Sequence, residues 1–62
     1  MTPKEAEAKI KKDGWRLVKI VGSHHHYKHA KKPGKVTIPF HKQPKDLDPK
    51  TLKSIFKQAG LI

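Results

Sequence analysis

A chain of 62 residues with a formal net charge of +10 and no cysteine holds one domain, spanning residues 1–62, with no disulfide framework and no thiolate metal site. Fifteen lysines and arginines against five acids point to a polyanionic partner, either nucleic acid or an acidic protein. No apolar run could span a bilayer or serve as a signal-peptide core, so the expectation is a complete, soluble, cytoplasmic chain with no membrane partner. A membrane-surface peptide would need one long amphipathic helix, and the Pro and Gly pattern breaks the chain too often for that.

Residues 1–13 read as a first helix. Thr2 is suited to the N-cap and Pro3 to the first helical position, and Glu5 three residues after Thr2 completes a capping box. Ala6 and Ile10 form a thin apolar stripe that must dock to persist, and Gly14 ends the helix. Trp15 to Val21 is β-branched and aromatic, hence a strand. Gly22-Ser23 is a turn, and His24 to His29 returns as a second strand. Lys31-Lys32-Pro33-Gly34 is a second turn. Lys35 to Phe40 is a third strand, in which Val36, Ile38 and Phe40 alternate with Lys35, Thr37 and Pro39. Pro39 cannot donate to a ladder, which places that strand at an edge or at its own end.

A polar loop over 41–47, containing Pro44, leads to a second helix capped by Asp48, with Pro49 first and Leu47 and Leu52 at the spacing of a hydrophobic staple. Leu52, Ile55, Phe56 and Ala59 give its apolar face, Gly60 stops it, and Leu61-Ile62 can fold back on it. The order is α-β-β-β-α. The fold class expected is α+β: a three-stranded antiparallel sheet with two helices on one face and the other face open.

Four of the five histidines lie in the stretch Gly22-Ser23-His24-His25-His26-Tyr27-Lys28-His29. No acid occurs between Gly14 and Lys45, whereas Arg16, Lys19, Lys28, Lys31, Lys32, Lys35, Lys42 and Lys45 are all cationic. Strand alternation separates His25, Tyr27 and His29 from His24, His26 and Lys28. Tyr27 is the large, partly apolar member, so its set should face the helices and leave His24, His26 and Lys28 outside. A bulge between Ser23 and Tyr27 would exchange the sets. Tyr27 and Trp15 are expected to pack rather than stack on bases.

Three roles compete for the histidines. As strand fillers, His25 and His29 would be hydrogen-bonded at the core edge. As metal ligands, His24 and His26 could form a ridge, but the acid-free segment offers nothing to complete the shell, and imidazoles amid cations bind a dication poorly. No metal or other cofactor is therefore expected. As acid–base groups they could act on a phosphodiester, because histidine titrates near neutrality. Neighbouring lysines would lower the imidazole pKa and hold phosphates. RNA supplies its own nucleophile, the 2′-OH.

Asp13-Gly14-Trp15, Gly22-Ser23-His24-His25, the Pro33-Gly34 turn leading to Val36-Thr37-Ile38-Pro39, and the closing Thr51 to Leu61 occur in order over nearly the whole chain. In these pieces the sequence resembles the HicA toxin family, the mRNA interferases of HicA–HicB toxin–antitoxin systems. The resemblance implies a fold similar to the double-stranded-RNA-binding domain, cleavage of mRNA, growth arrest, and neutralisation by a HicB-like antitoxin. It also implies that the active histidine is the one directly after Gly-Ser, here His24, serving as general base on the 2′-OH or as the acid–base residue generally. A third consecutive histidine, His26, departs from the simplest family pattern and could share the acid role or bind phosphate. Lys28, Arg16 and Lys19 are the other candidate RNA contacts. The charge predicts an acidic antitoxin covering the open face. The alternative is a non-catalytic basic RNA-binding module using the same face.

Overall fold

The computed structural model describes residues 1–40 and 46–62. Most of the polar loop expected over 41–47 falls outside them, including Lys42, Pro44 and Lys45. The order is α1 (Pro3–Lys12), β1 (Trp15–Val21), β2 (His24–His29), β3 (Val36–Pro39) and α2 (Pro49–Gln58). The fold class is the expected α+β one, of the double-stranded-RNA-binding-domain type.

Local chemistry sets each boundary. The Thr2 hydroxyl accepts from the Glu5 backbone N–H at 3.2 Å, and the Glu5 carboxylate accepts from the Thr2 N–H at 2.8 Å. Both halves of the capping box are thus made. These bonds favour the ionised carboxylate and hold the Glu5 pKa below its usual range. The C-cap of α1 is Asp13, with Gly14 one residue beyond it at φ +107°. The stop signal is therefore Asp13-Gly14 rather than Gly14 alone. Asp48 caps α2 through its side chain, and Pro49 is the first helical residue. At the other end Gly60 N–H reaches the Lys57 carbonyl and Leu61 N–H the Phe56 carbonyl, the pairing of a Schellman cap. The backbone folds back there as expected, but the Leu61 and Ile62 side chains do not, and both stay exposed.

The sheet is antiparallel in the order β1-β2-β3, so β1 and β3 are both edges. Its inner face and the helices bury Ala6, Ile10, Trp15, Tyr27, Val36, Ile38, Leu47, Ile55 and Ala59. Removing each large side chain from water contributes about 1.5–3 kcal/mol. Leu47, read as part of a polar loop, belongs to this core. Its N–H donates to the Met1 carbonyl at 2.7 Å, tying the N-terminus to the entry of α2.

Polar ties close the structure around the core. Trp15 Nε1–H donates to the Ala59 carbonyl at 3.3 Å, and Lys32 Nζ donates to the same oxygen at 3.1 Å. Lys32 also pairs with Asp13 at 2.5 Å, which holds the Asp13 carboxyl below the usual aspartate range. The Tyr27 hydroxyl donates to Glu7 of α1. Burial and that carboxylate push the phenol well above its ordinary range.

The pairing of β1 with β2 is irregular. Pairing runs Trp15–His29, Arg16–Lys28 and Leu17–Tyr27, then resumes at Lys19–His26, Ile20–His25 and Val21–His24. Val18 is an extra residue, a β-bulge. Without it, Arg16 and Lys19 would point to opposite faces, being three apart. With it, both share the open face with their partners Lys28 and His26.

Candidate active site

The turn between β1 and β2 places the histidines. Gly22 sits at φ +59° and Ser23 at negative φ, the pattern of a two-residue type II′ hairpin. The Ser23 carbonyl accepts from Phe40 N–H at 2.6 Å, which anchors the turn to the end of β3. β2 therefore begins at His24 with fixed register: His24 faces Pro39, His25 Ile38, His26 Thr37 and Tyr27 Val36. No irregularity interrupts β2, so its side chains alternate between the two faces as expected. The bulge lies in β1 instead.

The inward histidines are structural. His29 meets Trp15 edge-on with centroids 5.2 Å apart. Its Nδ1 accepts from the backbone N–H groups of Lys31 and Lys32 at 2.9 and 3.1 Å. Its Nε2 then donates to the Asp13 carbonyl at 2.7 Å, so every polar atom of this ring is used. His25 differs from the expectation of a hydrogen-bonded filler. Its ring stacks on Phe40 at 3.8 Å between centroids, and its buried Nδ1 has no hydrogen-bond partner among the described residues. Glu7 Oε2 lies 3.9 Å away, already taken up by Tyr27. Stacking, not hydrogen bonding, holds this ring.

The outward set forms the candidate site. His24 is exposed at the start of β2. His26 is half-buried, with its Nδ1 3.0 Å from the Thr37 hydroxyl. Val18, Lys19, His26, Lys28 and Lys35 line one shallow depression of about 190 Å³. Arg16 lies on the same face opposite Lys28. Desolvation between the strands lowers the His26 pKa, and Lys35, Lys19 and His24 add to it. The lysine effect anticipated for an outward imidazole thus falls on His26.

Four of the five residues singled out in the sequence, His26, Lys28, Arg16 and Lys19, therefore share the open face around the depression, with His24 beside it. Lys35 and Thr37 were not singled out. Both belong to the polar set of the strand expected over Lys35 to Phe40, of which the structure forms Val36–Pro39 with Lys35 just before it, and the pairing of that strand against the histidines was the signal that could have found them. Trp15 and Tyr27 are buried in the core and unavailable for stacking on bases, as expected. Among the described residues no group of three His, Asp or Glu side chains could hold a metal ion, and no helix is long and apolar enough to cross a membrane.

This fold and this face define a small α+β domain of the double-stranded-RNA-binding-domain type, with imidazoles set among cations on its uncovered sheet. A family model described as the HicA toxin of bacterial toxin–antitoxin systems matches residues 3–61, and the chain belongs to that family. No curated protein matches the chain. Membership makes it the toxin of a toxin–antitoxin pair, in a family whose toxins are generally ribonucleases.

Proposed function

We propose that this toxin is a metal-independent endoribonuclease of the mRNA interferase kind, acting in the cytoplasm and neutralised by an acidic, HicB-like antitoxin. The observation that carries the reading is the open sheet face: imidazoles and at least four cations stand on it, with no acid in that whole segment of the chain. Such a face attracts the phosphate backbone. It also offsets charge on a phosphorane as the 2′-oxygen attacks phosphorus and the 5′-oxygen leaves.

His24 is the acid–base residue of this reading, because it is outward, accessible and directly after Gly22-Ser23. Lys28, Lys19 and Arg16 hold phosphates, and the product ends are a 2′,3′-cyclic phosphate and a 5′-hydroxyl. The antitoxin covers the same face by charge complementarity. The test is cleavage of RNA by the purified protein with EDTA present. Wild type should cut. His24→Ala should lose about 10²–10⁴-fold in rate while still binding RNA. Full activity in His24→Ala would sink the residue assignment, and abolition by EDTA would overturn the metal-free mechanism. Binding without cleavage by wild type would leave only an RNA-binding module.

A further inference from the structure

Two imidazoles stand on the open face, and their settings differ. His24 and His26 are two residues apart on β2, about 7 Å along the strand, close enough to flank a single phosphodiester. His24 is exposed at the rim. His26 is half-buried in the depression, held by Thr37 and surrounded by Lys19, Lys28 and Lys35. Because Thr37 occupies Nδ1, Nε2 is the nitrogen of His26 left without a protein partner among the described residues.

We propose that His26 and His24 act as a base–acid pair on one phosphodiester. His26 Nε2 takes the proton of the 2′-OH as the bond from the 2′-oxygen to phosphorus forms. Protonated His24 gives a proton to the 5′-oxygen as its bond to phosphorus breaks, and the electron pair of that bond leaves with the oxygen. One proton is taken and one given, and exchange with water restores the pair. The productive tautomer has Nδ1–H donating to Thr37 Oγ1, which leaves the lone pair on Nε2. Thr37 is thereby a positioning residue.

The inference rests on the ribonuclease reading and adds to it the group that opens the reaction. The charged and titratable groups around His26 are Arg16 and Lys19 from β1, His24 and Lys28 from β2, and Lys35 just before β3. All are cationic or neutral; desolvation, with Lys35, Lys19 and His24 adding to it, holds His26 below the usual histidine range. That direction favours the unprotonated imidazole that a base needs.

The experiment is the pH–rate profile of RNA cleavage for wild type, His24→Ala, His26→Gln and Thr37→Val, with a thermal melt of each. Wild type should give a bell whose acid limb lies below the usual histidine range. His26→Gln keeps a hydrogen-bonding amide at that position. It should lose about 100-fold or more in kcat with little change in KM, and it should lose the acid limb. Thr37→Val should move that limb without a matching change in KM.

A His26→Gln enzyme within about threefold of wild-type kcat, or impaired in KM alone, would overturn the pairing and leave His26 a phosphate contact. If that variant melts before the assay temperature, ring resonances of the wild type titrated with a 2′-deoxy oligonucleotide replace it. Binding must then shift the titration of His26, and an unmoved ring overturns the proposal. Loss of activity in His24→Ala beside a fully active His26→Gln would leave the ribonuclease reading intact and remove only the pairing. A wild type that cleaves no RNA would remove both.

Discussion

Gly22 accounts for part of what makes its motif recognisable. A Cβ at this position would meet nothing within 4 Å, so the glycine is not needed for space. It is needed for φ +59°, which side-chain-bearing residues enter at a cost of about 1–2 kcal/mol. Gly22→Ala should therefore lower stability by about that amount in a denaturant titration, with no clash to relieve. If the turn relaxes instead, β2 starts out of register and His24 is displaced, so cleavage should fall more than stability does. Gly14 is the opposite case. It combines φ +107° with a Cβ position 2.6 Å from His29 Nε2, so strain and collision coincide there. At this scale the sequence was a good guide to outward and inward positions, because side-chain alternation is a property of any uninterrupted strand. It was a poorer guide to bonding. His25 was expected to be hydrogen-bonded and is stacked on Phe40, a contact between residues fifteen positions apart that no local pattern encodes.

Among the elements, β1 is the least covered. Leu17, Val18, Ile20 and Val21 are exposed by 38%, 52%, 54% and 51%, although the run reads as strongly β-forming. Helices α1 and α2 cover the sheet around Trp15, Tyr27 and β3 and leave the far half of β1 bare. Side chains in that half should contribute little to stability. Ile20→Thr should change the unfolding free energy by no more than about 0.5 kcal/mol, whereas Ile38→Ala, at a fully buried position, should cost about 2–5 kcal/mol. Equal effects in a urea titration would contradict this division of β1 from β3. The element types were legible because capping boxes, Pro at first helical positions and β-branched runs are local signals. The Val18 bulge was not, because a bulge exists only relative to a paired strand. It nevertheless shapes the candidate site, since it is what brings Arg16 onto the same face as Lys19.

Across the whole molecule, charge is segregated rather than merely abundant. The acids lie on α1, its C-cap and the entry to α2, while the open face carries Arg16, Lys19, Lys28 and Lys35. Single-stranded RNA should therefore bind with an affinity that falls steeply with salt. Each of these side chains in contact with a phosphate contributes about 0.7 to the slope of log K against log salt. Lys28→Gln should lower that slope by about that amount, while Lys4→Gln on the exposed side of α1 should leave it unchanged. Filter binding over a salt series is the measurement, and equal slopes for the two variants would place RNA elsewhere on the surface.

By itself the sequence determined the element order, the caps, the alternating faces of β2 and β3, and the cationic character of the segment between Gly14 and Lys45. Each of these follows from residue type and short-range spacing. Only the tertiary structure decided what stands beside what. It set Thr37 and Lys35 against His26, placed Glu7 of α1 under Tyr27 and His25, and used a bulge to turn Arg16 and Lys19 to one side. Those relations depend on strand register and on helix docking, which are fixed by burying Trp15, Tyr27, Val36 and Ile38 together. That is a collective free energy no short window of the chain contains.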